Sequence, residues 1–126
     1  MLTALNVDVF ADIDGRRCRL VEDRQVFTNG RVRPRPHIPT SLAEKLKRGE
    51  DLRAALARAM AEELGIREYH ILSDFTETTE TKQSQSFPGL ESEYRVFKVD
   101  VLIDGSEVKD EYQERQPDKT TYFAWE

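Results

Sequence analysis

The sequence predicts an α/β (α+β) fold, a sandwich in which one main helix at about residues 51–64 packs on a mixed β-sheet. Two observations indicate this class. Apolar residues recur at helical spacing in one stretch, at Leu52, Ala55, Leu56, Ala59, Met60 and Leu64. The segments on both sides of that stretch alternate apolar and polar residues with period two, which is typical of half-buried strands.

The helix has clear start and stop signals. Asp51 stands where a carboxylate can accept a hydrogen bond from the first free backbone N–H groups of a helix. Gly65 follows the last periodic residue, and glycine is the residue that most often ends a helix in the left-handed conformation. These signals predict one continuous helix between them.

Strands and loops follow in chain order around this helix. Two strands are predicted before it, at residues 5–11 and 18–26, joined by the turn pair Asp14-Gly15, and residues 31–36 are predicted as a loop or an edge strand. Three more are predicted after it, at residues 69–75, 94–103 and 120–125. Residues 76–86 and 107–119 are polar or acidic without apolar periodicity, and we expect loops there, with an anchored turn at 87–90.

Composition limits the classes of protein that this chain can represent. Its 126 residues suffice for one domain, residues 1–126, and 38% apolar against 34% charged residues predict a small core under a charged surface. The net charge of −5 argues against nonspecific nucleic-acid binding and against anionic membranes. Cys18 is the single cysteine, which excludes a disulfide framework, and no segment is apolar enough to span a membrane. We therefore expect a cytoplasmic protein.

Three arginines alternate along a proline-broken segment. If residues 31–36 are extended, Arg31, Arg33 and Arg35 share one face. Charge runs usually mark a solvated edge. The alternative is a phosphate-binding patch, because guanidinium groups match phosphate oxygens in geometry.

A pair of carboxylates interrupts the apolar rhythm where the helix meets its final glycine. Glu62 and Glu63 concentrate negative charge there, and Arg58 lies one turn earlier, where it can orient Glu62. The pair is either solvated surface charge or a binding site for a hard cation such as Mg²⁺ or Mn²⁺, which prefers oxygen ligands.

The segment that contains this pair resembles the Nudix box, G-x5-E-x7-R-E-U-x-E-E-x-G-U, in which U is a bulky aliphatic residue. Seven fixed positions match in register between residues 44 and 66: Glu50, Arg58, Met60, Glu62, Glu63, Gly65 and Ile66. The resemblance implies a Nudix-like α/β/α sandwich with a mixed sheet. It further implies a hydrolase that cleaves a diphosphate bond of a nucleoside diphosphate derivative with Mg²⁺ or Mn²⁺.

The same resemblance implies roles for individual residues. Glu62 and Glu63 would be catalytic metal ligands, Glu50 would support the metal, and Arg58 would hold a glutamate in place. Two positions depart from the box, since Glu44 replaces its first glycine and Ala59 replaces the first glutamate. Because that glutamate often binds metal or acts as the base, another acid would have to replace it, and the candidates are Glu77, Glu80, Glu91 and Glu93.

Two functions therefore remain open at the level of the sequence. One is a divergent Nudix hydrolase, and the other is a catalytically impaired Nudix-fold module that binds a nucleotide-like ligand or a protein partner in a regulatory role. In both, the expected ligand is a nucleotide-derived small molecule. A homodimer or a larger assembly is expected if the aromatic residues of the last strand are exposed.

Overall fold

The computed structural model of the protein describes residues 2–35, 40–83 and 91–126. Nine strands, one long helical segment and one short 3-10 helix (Gly105–Glu107) make up the regular structure in these ranges. The strands are β1 (Leu2–Ile13), β2 (Arg16–Phe27), β3 (Val32–Pro34), β4 (Leu42–Lys45), β5 (Tyr69–Ile71), β6 (Thr76–Gln83), β7 (Glu91–Ile103), β8 (Glu111–Arg115) and β9 (Lys119–Trp125). The predicted turn at 87–90 lies outside the described residues.

The strands form a mixed sheet, as the sequence predicts. The central order is β5-β7-β1-β2-β9-β8, and β4, β3 and β6 pair with β1, β2 and β7 respectively. The pairing of β1 with β7 is parallel, and the other pairings are antiparallel. Because β1 pairs with β4 along its first half and with β2 along its last residues, the sheet divides around the helix.

The helical segment confirms the predicted helix at about residues 51–64. It consists of α1 (Leu52–Ala59), which continues directly into one π-helical turn over Met60–Leu64. Asp51 caps it, since its carboxylate accepts a hydrogen bond from the Ala54 N–H at 2.7 Å. Gly65 ends it with φ 70°, in the left-handed region that glycine adopts without steric cost.

The core lies between the helix and the strands that surround it. The apolar face of the helix contributes Ala55, Leu56, Ala59, Met60 and Leu64, all of them buried. The sheet meets this face with buried side chains that alternate along its strands: Leu5, Val7, Val9, Leu20, Val99, Val101, Tyr112 and Phe123. No helix in the described parts of the chain is long and apolar enough to cross a membrane.

Two segments that the sequence predicts as loops are strands instead. Residues 76–83 form β6, which pairs along its whole length with β7, and residues 111–115 form β8 beside β9. Both predictions were wrong for the same reason. These strands carry few apolar side chains, so apolar periodicity is weak, and hydrogen bonds to a neighbouring strand stabilise them instead. Strand β4 was not predicted at all, because four residues carry too short a pattern.

A β-bulge in β2 changes which side chains face the helix. Glu22 pairs with Phe123 and Arg24 pairs with Tyr122, so Asp23 has no partner on β9. Side chains three residues apart on a regular strand point to opposite faces. The extra residue at the bulge brings Glu22 and Gln25 to the same face of the sheet.

The helix cap yields a prediction about stability. We expect Asp51→Ala to lower the free energy of unfolding by about 1 kcal/mol, because the Ala54 N–H loses its acceptor. Urea denaturation measures this change. Asp51→Asn keeps a side-chain acceptor and serves as the control. Equal losses in both variants would contradict a role for the cap.

Candidate functional site

Arg58 joins the helix to the two segments that precede it. Its Nε donates to Glu50 Oε2 at 2.9 Å, and its Nη2 donates to Glu50 Oε1 at 3.0 Å. Its Nη1 donates to Glu44 Oε2 at 3.1 Å and lies 3.6 Å from Glu62 Oε2. The Arg58 guanidinium, as first cause, lowers the pKa of Glu50 to about 2. Both Glu50 oxygens are thus occupied by Arg58, which makes Glu50 a residue that positions the arginine.

The two carboxylates at the end of the helix have different surroundings. The Glu62 side chain is 58% exposed and extends beside Arg58. Glu63 is only 8% exposed, and its Oε2 has no hydrogen-bond partner among the described residues. Burial is the main cause that raises the pKa of Glu63, and the neighbouring Glu44 carboxyl is the second. Together with Glu114 and Glu22 these effects raise that pKa to about 9.

Glu63 lines a cavity of about 240 Å³ between the helix end and strands β2, β4, β8 and β9. Two more glutamates, Glu22 and Glu114, line the same cavity. Burial raises the pKa of Glu114 first, and the charges of Glu44, Glu22 and Glu62 add to it. Two cations, Arg35 and Lys119, stand at the cavity as well. The cavity therefore combines carboxylates that can hold a cation with basic groups that can contact an anion.

Sequence reasoning missed Glu22 and Glu114. Both lie on strands in which the pairing with neighbouring strands decides the face of the sheet that each side chain occupies. The bulge at Asp23 turns Glu22 toward the cavity. Glu114 belongs to β8, which the sequence predicts as a loop, and it pairs with Thr121 of β9. The sequence signal that points to them is weak, because each is one of several charged residues in its segment.

Glu44 reaches the site because β4 is a strand. In the pairing of β4 with β1, Leu42 stands opposite Val7 and Glu44 opposite Leu5. Alternation places Glu44 on the same face as the buried Leu42, the face that meets the helix. Its side chain is 21% exposed. Glu44, one of the two residues that depart from the Nudix box, thus adds a carboxylate near Glu63.

The structure separates the three predicted phosphate-binding arginines. Arg31 lies over the Phe27 ring, with 4.7 Å from its Cζ to the ring centroid, and Arg33 is exposed on β3. Arg35 lines the acidic cavity, where its Nε lies 3.4 Å from Glu22 Oε1. Of the three, Arg35 is therefore the one placed beside the carboxylates.

Two of the predicted replacements for the missing box glutamate, Glu77 and Glu93, do not line this cavity. Glu77 pairs with Arg95 at 2.8 Å on the surface of the β6–β7 hairpin, and Glu93 is exposed on β7. The side chains of Glu80 and Glu91 lie outside the described part of the chain. Glu114 is partly buried and lines the cavity together with Glu63, so it is the better candidate to replace the missing glutamate.

The donor set fits a hard divalent cation in its chemistry. The groups around Glu63 are carboxylate oxygens, and one buried Glu63 oxygen lacks a partner. In residues 2–35, 40–83 and 91–126, however, no three His, Cys, Asp or Glu side chains form a group that could hold a metal ion. The charge of the neighbouring Glu44 carboxyl helps to raise the pKa of Glu63, which favours a proton on Glu63. A cation would have to displace that proton.

The Arg58 contacts yield a second prediction. We expect Arg58→Lys to lower the melting temperature by several degrees, because lysine cannot reproduce the paired hydrogen bonds to Glu50 together with the bond to Glu44. Thermal denaturation followed by circular dichroism measures the change. Arg53→Lys, on an exposed position of the same helix, should leave the melting temperature nearly unchanged. Equal shifts would show that the network adds no stability.

The buried carboxyl of Glu63 yields a third prediction, which concerns pH. In the unfolded chain Glu63 loses its proton near its ordinary pKa of 4.5, whereas in the folded chain it keeps it to about pH 9. Because the folded state binds the extra proton between these values, stability falls as pH rises through this range, by at most about 1.4 kcal/mol per pH unit. Urea denaturation from pH 5 to 9 with chelator measures this slope.

Glu63→Gln should flatten this pH dependence, because glutamine carries no titrating proton. Glu68→Gln, at an exposed position just after the helix, should keep the wild-type slope. A Glu63→Gln variant whose stability falls as steeply as that of the wild type would contradict the assignment of the slope to Glu63.

Known proteins resemble this chain in structure. No protein-family model matches its sequence, and no curated protein matches it. The crystal structure of C. elegans Ap4A hydrolase matches with a TM-score of 0.53 and 14% identity, over 99% of this chain and 79% of that chain. A binary complex of C. elegans Ap4A hydrolase matches with a TM-score of 0.54 and 16% identity, over 99% and 79%. The Nudix domain of Shewanella oneidensis NrtR, crystallised with ADP ribose, matches with a TM-score of 0.47 and 12% identity, over 99% and 71%.

The two structures of the C. elegans enzyme are the ones that support a conclusion. At identities of 14% and 16% they establish a shared fold and leave activity open. They are Nudix hydrolases, and the match extends over nearly the whole of this chain. The mixed sheet that curls around a single main helix is therefore the Nudix fold.

Proposed function

We propose that this protein is a divergent Nudix hydrolase, which uses water and Mg²⁺ or Mn²⁺ to cleave a diphosphate bond of a nucleoside diphosphate derivative. One observation carries the proposal. Glu63, at the end of the box-like helix, buries a carboxylate oxygen without a partner in a cavity lined by further glutamates. Repulsion and desolvation make this arrangement unfavourable unless a proton or a cation balances the charge.

The residues of the cavity and those at the nearby end of the helix divide into groups with different tasks. Glu62 and Glu63 would hold the cation, which when bound neutralises phosphate charge and makes water a better nucleophile. Arg58 holds Glu44 and Glu50 in fixed positions. Arg35 and Lys119 stand where they can contact phosphate oxygens. Glu114 is the group that we assign to accept the proton of the attacking water, since its raised pKa suits a base.

Two observations favour a nucleotide with a diphosphate bond as the substrate. The cavity is lined by basic side chains as well as carboxylates. A metal-bound diphosphate requires both, because carboxylates bind the metal and basic groups contact the phosphate oxygens. The structural neighbour from C. elegans is named for hydrolysis of Ap4A. A dinucleoside polyphosphate is therefore the first substrate class to test, followed by ADP-ribose and nucleoside triphosphates.

A binding module without turnover is the second candidate. It is favoured by Ala59, which is completely buried in the core and supplies no carboxylate at the position where the box has one. In this case the protein would bind a nucleotide-like ligand or a protein partner in a regulatory role.

Turnover assays decide between the two candidates. We expect hydrolysis of at least one member of the panel with Mg²⁺ or Mn²⁺, followed by chromatography of the products. Glu63→Gln should lower kcat by at least about 10²-fold, the usual loss when a positioned catalytic group is removed. Glu68→Gln, exposed and distant from the cavity lining, should keep the wild-type kcat.

Absence of turnover across the panel would overturn the hydrolase. If a nucleotide then raised the melting temperature without being cleaved, the binding module would take its place, because a ligand that binds only the folded state stabilises it.

A further inference from the structure

We propose that Gln25 is a specificity-determining residue, whose side-chain carbonyl accepts a hydrogen bond from the nucleoside part of the substrate. The donor is an N–H or O–H group, either an exocyclic amine of the base or a hydroxyl of the ribose. This role of Gln25 rests on the proposed function, because it names the part of a nucleotide that the acidic cavity recognises.

Unpaired polar atoms concentrate at one place in the described part of the chain. Four buried side-chain atoms make no hydrogen bond there: Gln25 Oε1, Arg35 Nε, Glu63 Oε2 and Asp100 Oδ1. The first three belong to residues that line the acidic cavity. Buried polar atoms are nearly always paired, since an unpaired one costs free energy. Three of them around one cavity of about 240 Å³ therefore indicate a site for a polar ligand.

Strand pairing places the Gln25 amide at this cavity. Gln25 is only 6% exposed, and it stands opposite Thr121 of β9, which in turn stands opposite Glu114 of β8. Residues directly opposite each other share one face of a sheet, so these three side chains form a row along the cavity. The Gln25 Nε2 donates to Thr121 Oγ1 at 3.4 Å. This contact occupies the amino side of the amide and leaves its Oε1 available to a ligand.

The chemistry of the Gln25 carbonyl limits what it binds. An amide oxygen only accepts hydrogen bonds, so its partner must carry a donor. The oxygens of ionised phosphates also only accept, and they match the basic groups of Arg35 and Lys119 instead. The nucleoside supplies donors, because bases carry amines and ribose carries hydroxyls. Gln25 and the two basic residues therefore contact different parts of one nucleotide.

A purely structural role for Gln25 makes a different prediction. In that case a water molecule would pair with Gln25 Oε1, as buried waters do with polar atoms in many proteins. A water donates as readily as it accepts, so it would bridge Gln25 to a donor or to an acceptor of the ligand. Ligands that differ only in one donor would then bind equally well.

Nucleoside monophosphates provide the test, because they contain no diphosphate bond and stay intact in the presence of Mg²⁺. IMP lacks the exocyclic amine of AMP and of GMP, UMP lacks that of CMP, and deoxy-AMP lacks a ribose hydroxyl of AMP. Calorimetry measures the Kd of each. We expect the ligand with the donor to bind about 10-fold more tightly in at least one comparison, and that comparison identifies the amine or the hydroxyl as the donor.

Variants at one position assign this preference to Gln25. Gln25→Met keeps an unbranched side chain of similar length but removes the acceptor, so the ratio of the two Kd values should fall to about one. Gln25→Glu keeps an acceptor and should retain the preference. Gln113→Met is the matched control, since Gln113 is exposed on β8 and does not line the acidic cavity. Its ratio should stay within about twofold of that of the wild type.

Two results overturn the role of Gln25. One is a wild type that binds both members of every comparison with equal Kd, and the other is a folded Gln25→Met variant that keeps the wild-type preference. The melting temperature shows whether this variant folds. If it does not fold, Gln25→Glu decides, because a folded variant that loses the preference although it keeps an acceptor also contradicts the role of Gln25.

The outcomes separate the role of Gln25 from the hydrolase. A wild type that hydrolyses the diphosphate panel but binds donor-bearing and donor-lacking monophosphates equally leaves the hydrolase standing and overturns the role of Gln25. A wild type whose preference depends on Gln25 but which cleaves nothing supports that role and overturns the hydrolase. Absence of monophosphate binding by the wild type overturns the role of Gln25 directly.

Discussion

The ion pairs of Arg58 are the interaction on which the site depends. One guanidinium group binds Glu50 through two hydrogen bonds and Glu44 through a third. It thereby connects the helix, the loop before the helix and strand β4. An arginine with this planar set of donors fixes the direction of each carboxylate as well as its distance. This connection helps to hold Glu44 in its position beside Glu63.

The cavity concentrates charge that the folded chain does not fully compensate. Glu63 is buried, Glu44 and Glu114 lie near enough to raise its pKa, and one of its oxygens has no partner in the described part of the chain. Folded proteins retain such arrangements where function requires them. Other buried carboxylates differ, since Asp100 also has a buried oxygen, Oδ1, without a partner among the described residues, whereas Asp8 is paired. Asp8 is buried but accepts a hydrogen bond from Arg19 and from the Ser41 N–H, and it lies 3.1 Å from Lys98 Nζ.

Local sequence signals predicted the elements whose stability is local. The helix was recognisable because its apolar spacing, its Asp51 cap and its Gly65 stop act within a few residues of each other. Strands with strong alternation, such as β7 and β9, were recognisable for the same reason. Strands β6 and β8 were missed because backbone pairing with a distant segment stabilises them, and their side chains do not reveal that pairing. The order of the strands, including the parallel contact of β1 with β7, depends on contacts between distant segments throughout.

By itself the sequence determined that this protein has an α/β fold around one helix, and that a carboxylate pair stands at the end of that helix next to an arginine. Only the tertiary structure decided which acids join that pair. Glu44 comes from a short strand, Glu114 from a segment without periodicity, and Glu22 from a strand whose facing changes at one bulge. Each of these placements results from strand pairing, in which a shift of one residue reverses the face of every side chain. No local pattern in the sequence encodes such a shift.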